Sequence, residues 1–65
     1  MTIKELTERL AAAGIEDAAF DAAQLICHAC AVSRAALMCD RDKNYDSPLL
    51  ESLAARREQG EPLQY

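Results

Sequence analysis

Apolar residues recur at helical spacing near the start of the chain, next to a polar pair that can cap a helix. The apolar positions are Ile3, Leu6, Leu10 and Ala13. Thr2 and Glu5 form a Thr-x-x-Glu capping box, in which each side chain accepts a hydrogen bond from the other residue's amide. Gly14 follows the pattern and suits the positive φ found just past a helix end. A first helix is therefore predicted between Thr2 and Gly14.

Two further helices are predicted in the middle of the chain. Asp17 is an N-cap residue type, and the helix after it is expected to run through Phe20 to about Ala31. Its apolar residues cover most of its circumference, so we expect it to be the central helix. Ser33 can cap a short third helix that contains Leu37.

The fourth helix has the strongest start signal, Ser47 followed by Pro48. Its apolar stripe consists of Leu49, Leu50 and Leu53. The stripe lasts until Gly60, which is expected to end the helix. Before it, residues 40–47 read DRDKNYDS and predict a solvated loop. Because no β pattern precedes Leu63, the predicted fold class is all-α, a small bundle of about four helices.

Composition and charge narrow the class of protein. The 65 residues include only three aromatic residues, so the core must come from Leu, Ile and Ala. The net charge is −4, and the basic residues are scattered apart from Arg56 and Arg57, which disfavours direct nucleic-acid binding. No apolar run approaches the roughly 18 residues that span a membrane, and the N-terminus does not resemble a signal peptide. We expect a cytoplasmic protein that makes no membrane contact.

Cys27, His28 and Cys30 lie close together in the sequence and suggest a metal or redox site. On an unbroken helix His28 cannot join both sulfur atoms, because Cys30 lies nearly opposite it. A tetrahedral site would also need Cys39 as a ligand, and no second cysteine pair at ligand spacing exists. We predict reduced core thiols and no metal site, with His28 at or near the surface.

The second helix also carries a stripe of residues with acid–base chemistry. Its members are Asp17, Asp21, Gln24 and His28. Asp21 and His28 are two turns apart, about 10 Å along the axis, which is too far for a catalytic dyad. A solvated polar stripe is therefore predicted. With two glycines in the whole chain there is no nucleotide cradle either, so no catalytic or cofactor-binding residue is predicted.

Arg57 falls within the leucine stripe of the fourth helix, where a charge needs an acceptor. In one interpretation its stem crosses the apolar surface and its guanidinium meets the last helical carbonyls. In the other, Arg57 and Arg56 present hydrogen-bond donors to a partner domain or protein. Both interpretations stay open, and Arg56 and Arg57 are the candidate partner-binding residues.

The order of these signals resembles the N-terminal helical domain of the HemK/PrmC family, the methyltransferases that modify peptide-chain release factors. The matching positions near the end of the chain are Arg56, Arg57, Gly60, Glu61, Pro62, Gln64 and Tyr65. Those in the second helix are Asp21, Ala22, Leu25, Ile26 and His28. The resemblance covers essentially the whole chain. It implies a helical domain over residues 1–60 and the start of an extended connection over residues 61–65.

The resemblance also implies a function. The parent enzyme is expected to transfer a methyl group from S-adenosylmethionine to the glutamine side-chain amide in the Gly-Gly-Gln loop of release factors. The helical domain is expected to dock the body of the release factor, and its partners are that factor and its own C-terminal catalytic domain. The glycine-rich loop and the Asn-Pro-Pro-Tyr motif of the family are not in these 65 residues, so the fragment alone is predicted not to be catalytic.

Two other classes of protein remain as alternatives. A free-standing helical protein–protein interaction module would show the same capping and periodicity. A thiol-based metal or redox module is the third candidate. The downstream reading frame distinguishes them, because a glycine-rich loop followed by Asn-Pro-Pro-Tyr would identify the methyltransferase.

Overall fold

The computed structural model describes residues 1–61 and contains four helices in that range. They are α1 (Ile3–Ala12), α2 (Ala18–Cys30), α3 (Arg34–Cys39) and α4 (Pro48–Glu58). No strand occurs among the described residues, and the predicted all-α class is confirmed. α2 packs against each of the other three helices, as expected of the central helix. The predicted connection over residues 61–65 lies outside the described residues, except for Glu61.

Three of the four helices begin with the side-chain cap that the sequence predicts. The Thr2 hydroxyl accepts from the Glu5 amide at 3.1 Å, and the Glu5 carboxylate accepts from the Thr2 amide at 2.8 Å. The pKa of Glu5 is lowered, mainly because its carboxylate accepts the hydrogen bond from the Thr2 amide. The hydroxyls of Ser33 and Ser47 accept amide hydrogens at 3.1 and 3.3 Å. Asp17 occupies the N-cap of α2, as predicted, but its side chain makes no capping hydrogen bond.

Three of the four helices are followed by a residue in the left-handed conformation. Gly14 and Gly60 follow α1 and α4 with φ of 88° and 92°. Amides beyond each helix bond back to carbonyls of its last turn, as in a Schellman motif. α2 ends instead at Ala31, which has φ 55° and ψ 41°. A residue with a Cβ atom adopts this conformation at a steric cost, so the end of α2 is strained.

The hydrophobic core lies where α1, α2 and α4 meet. Its buried apolar residues are Ile3, Leu6, Leu10, Ala18, Ala22, Ala23, Leu25, Ile26, Leu37, Tyr45, Leu50, Leu53 and Ala54. As predicted, most of them are Leu, Ile and Ala. The predicted leucine stripe of α4 is wrong at Leu49, which is 49% exposed. Leu49 lies in the first turn of α4, at the margin of the stripe.

The segment between α3 and α4 is solvated except at Tyr45, which is buried in the core. The Tyr45 amide donates to the Met1 carbonyl at 2.8 Å, and the Tyr45 carbonyl accepts from the Met1 ammonium at 2.9 Å. Met1 also donates to the side chain of Asn44. The predicted solvated loop is therefore wrong at Tyr45, because pairing with the distant N-terminus draws this ring inward.

Arg9 joins α1 to both ends of α4. Its Nη1 lies 2.8 Å from a Glu51 carboxylate oxygen, and its Nε lies 2.6 Å from one of Glu58. The hydrogen bond to Glu51 is the main cause that raises the pKa of Arg9. These contacts join α1 to the first and last turns of α4.

Candidate functional site

Arg57 and Asp21 form an ion pair between the last turn of α4 and the first turn of α2. Arg57 Nη2 lies 2.9 Å from Asp21 Oδ2, and Arg57 Nε donates to the same oxygen at 3.0 Å. Asp21 is only 6% exposed, and it is the one charged or polar residue that is buried in the described part of the chain. Removing either partner would leave a largely buried charge uncompensated, which costs about 3 kcal/mol or more.

The same guanidinium also holds the chain that follows α4. Arg57 Nη1 donates to the Glu61 carbonyl at 3.1 Å. The Gly60 amide donates to the Arg57 carbonyl at 3.0 Å, and the Glu61 amide to the Arg56 carbonyl at 3.3 Å. Hydrogen bonds to the backbone carbonyls of the arginine pair thus close the end of α4. The side chain of Arg57 links α2 and α4 to Glu61, which lies just past the helix.

Arg56 points outward from the same turn. Its Nε donates to Glu61 Oε2 at 2.9 Å, and its Nη2 donates to Oε1 at 3.5 Å. The two side chains are 62% and 49% exposed. The hydrogen bond from Arg56 is the main cause that lowers the pKa of the Glu61 carboxyl. Because water screens such an exposed pair, it adds little stability.

The sequence left two kinds of acceptor open for Arg57, the last helical carbonyls and a partner molecule. The acceptors in the structure are the Asp21 carboxylate and the Glu61 carbonyl, which lies past the helix. The interpretation that Arg57 meets the last helical carbonyls therefore names the wrong acceptors. It is right that the guanidinium finds its acceptors within the chain. Partner binding by Arg56 and Arg57 is not tested by these contacts and stays a prediction.

Asp21 is the residue of this site that sequence reasoning misses. The sequence predicts a solvated polar stripe on α2, and at Asp21 that prediction is wrong. Asp17 and His28 of the same stripe are exposed, and Gln24 is half-buried. A signal for the pair exists in the sequence, since Arg57 is a charge in an apolar stripe. It does not identify the acceptor, because Asp21 is 36 residues away.

The thiols of α2 pack against the core and do not converge on His28. Cys27 and Cys30 are half-buried and contact the core cluster, as predicted. Cys39 and His28 are exposed. Within residues 1–61, no group of three or more His, Cys, Asp or Glu side chains is arranged to hold a metal ion. In the same range no helix is long and apolar enough to cross a membrane.

Comparison with known proteins matches the chain to a family and to a relative. A family model described as the PrmC N-terminal domain matches residues 2–65. The chain is 42% identical over 66 residues to the release factor glutamine methyltransferase of Vibrio cholerae serotype O1. That match covers 97% of this chain and 23% of the relative, so the chain spans about a quarter of the relative's length. No solved structure gives a significant match.

Proposed function

This chain belongs to the PrmC N-terminal domain family, and from that premise we propose that it is the substrate-docking domain of an S-adenosylmethionine-dependent methyltransferase. The proposed reaction is N5-methylation of the glutamine in the Gly-Gly-Gln motif of peptide chain release factors. The observation that carries the proposal is the family match over residues 2–65. The 42% identity to a release factor glutamine methyltransferase supports it.

A docking domain suits this reaction for a physical reason. An amide nitrogen is a poor nucleophile, so much of the rate enhancement must come from holding it in line with the methyl donor. Contacts to the body of the release factor, far from the glutamine, can supply binding energy for that positioning. Close-packed interiors are stiff, and the helices of this bundle share one buried core, which favours such a role.

The described residues do not fit S-adenosylmethionine. A cofactor loop of the dinucleotide-binding kind needs glycines that let backbone amides approach the ligand. The only two glycines of the chain, Gly14 and Gly60, each end a helix in a left-handed conformation. We therefore assign cofactor binding and methyl transfer to a catalytic domain elsewhere in the longer protein.

Within this proposal the two arginines have different roles. Arg57 is engaged by Asp21 and by the Glu61 carbonyl, so its role is to hold the chain that leads away from α4. Arg56 has the exposed guanidinium of the pair. Its donors can meet a carboxylate of the release factor in competition with Glu61, and Arg56 is therefore the residue of the pair that we assign to partner binding.

The test compares an intact release factor with a short Gly-Gly-Gln peptide as methyl acceptors for the full-length protein. Arg56→Gln should raise KM for the intact factor roughly two- to fivefold, the size of a rim-charge effect. It should leave the peptide kinetics unchanged, since a short peptide cannot reach the helical domain. Methyl incorporation at the glutamine is measured by mass spectrometry.

Lys43→Gln is the control. It also removes an exposed cation, but one that lies outside the segment that follows α4. It should leave both substrates unaffected. Absence of methylation by the wild-type protein would contradict the proposed function. Equal losses on the intact factor and on the peptide would instead contradict docking through Arg56.

A further inference from the structure

A groove lies between α1, α2 and α3, on a different side of α2 from the Asp21–Arg57 pair. Its volume is about 770 Å³, and none of its lining residues comes from α4. Phe20 and Met38 line it and are 51% and 45% exposed, two of the three large exposed apolar side chains of the described residues. The Arg34 guanidinium carbon lies 4.9 Å from the centre of the Phe20 ring.

The groove also collects cations that have no carboxylate partner among residues 1–61. Lys4, Arg34 and Arg41 line it, and none of them forms a salt bridge within residues 1–61. The other three arginines each pair with a carboxylate. Stacking on Phe20 holds Arg34 at the edge of the groove, where its planar donors can meet a carboxylate in two-point contact.

The local charge is opposite to that of the whole chain. The groove has three cations and two acids, Glu8 and Asp42, whereas the chain has a net charge of −4. An occupant with carboxylates beside an apolar anchor matches this surface in both charge and polarity. The overall negative charge, together with the two acids that line the groove, disfavours an anionic membrane surface.

We propose that this groove docks a short segment of the release factor that presents an apolar side chain to Phe20 and Met38. Carboxylates on the same segment meet Arg34 and Arg41. The proposal rests on the proposed function, which supplies the release factor as the partner. The volume is that of a pocket for a few side chains, so the occupant is a segment and not a whole face of the partner.

Two matched pairs of variants test the groove in the full-length protein. Arg41→Glu and Lys43→Glu make the same charge change two residues apart, but only Arg41 lines the groove. Met38→Ser and Leu49→Ser remove apolar side chains of similar exposure, 45% and 49%, and only Met38 lines the groove. Circular dichroism checks that all four variants fold, as expected for exposed positions.

The readout is KM for the intact release factor against KM for a short Gly-Gly-Gln peptide. Arg41→Glu and Met38→Ser should each raise KM for the intact factor about tenfold, the size of an interface anchor. The peptide kinetics and both control variants should change by less than about twofold. Arg41→Glu should also weaken the salt dependence of KM, because fewer charges meet across the interface.

A photo-reactive amino acid in place of Met38 identifies the occupant. With purified release factor, the expected adduct is a release-factor segment that contains both an apolar and an acidic residue. An adduct with the protein's own catalytic domain or with a second copy would overturn the proposal. So would binding to anionic vesicles that Met38→Ser abolishes.

The kinetic outcomes separate this inference from the function on which it rests. If the wild-type protein does not methylate the release factor, the proposed function fails. If methylation is normal and KM is unchanged in Arg41→Glu and Met38→Ser, the function stands and only the groove assignment is overturned.

Discussion

Phe20 and Asp21 are neighbours on α2, yet the aromatic side chain is exposed and the carboxylate is buried. Phe20 is 51% exposed, and Asp21 is 6% exposed. Asp21 faces α4, where Arg57 supplies a guanidinium 2.9 Å away. Phe20 lines the groove, and the Arg34 guanidinium lies over its ring. On a central helix, burial thus depends on which side another element covers, and polarity alone does not decide it.

The two sides of α2 also treat charge differently. On the α4 side the buried Asp21 carboxylate is paired with Arg57 of the same chain, so its charge is already neutralised. On the groove side three cations have no carboxylate partner among the described residues. We therefore expect changes to the Asp21–Arg57 pair to affect folding, and changes on the groove side to affect recognition.

The largest expected effect is on the α4 side. Arg57→Met should lower the free energy of unfolding by about 3 kcal/mol, because it leaves the Asp21 charge buried without a partner. In a domain of this size that corresponds to a fall of roughly 12 to 24 °C in melting temperature. Urea unfolding followed by far-ultraviolet circular dichroism measures it.

The control is the double variant Asp21→Leu with Arg57→Met. It should recover most of the lost stability, because no uncompensated charge remains and apolar groups can fill the space. The resulting double-mutant cycle gives the coupling energy of the pair. A loss below about 1 kcal/mol in Arg57→Met alone would mean that Asp21 is hydrated in solution.

Sequence reasoning predicts well the features that depend on residues a few positions apart. The capping box of Thr2 and Glu5 and the start at Ser47 and Pro48 act over a few residues, so each can be recognised without knowing the fold. Helical spacing likewise shows which residues share a face. It does not show which face another helix will cover, and this is why Phe20 cannot be placed from sequence.

The candidate site is only partly predictable because its contacts join distant residues. Arg57 is recognisable as a charge in an apolar stripe, but its acceptor Asp21 lies 36 residues earlier. Tyr45 is missed for the same reason, since its backbone pairs with Met1, 44 residues away. Long-range pairing of this kind leaves no periodic trace in the sequence.

A smaller effect is expected at the end of α2, away from both of its sides. Ala31→Gly should raise the free energy of unfolding by about 0.5 to 1 kcal/mol, because glycine adopts the left-handed conformation without strain. Ala31 is exposed and has φ 55°, so no packing is lost. The same urea unfolding experiment measures the gain. A loss of stability would mean that the end of α2 is not left-handed in solution.

The smallest effect on stability is expected for the exposed aromatic side chain. Phe20→Ser should lower the free energy of unfolding by only about 0.5 kcal/mol, because it removes a half-exposed ring and its contact with Arg34. Leu49→Ser, which is also half-exposed, serves as the matched control and should give a similar value. Urea unfolding of the two variants side by side provides the comparison. A loss above about 2 kcal/mol for Phe20→Ser alone would place the ring in the core and close the groove in solution. A small loss would leave Phe20 an apolar side chain that folding does not require, as expected of a residue whose partner is another molecule.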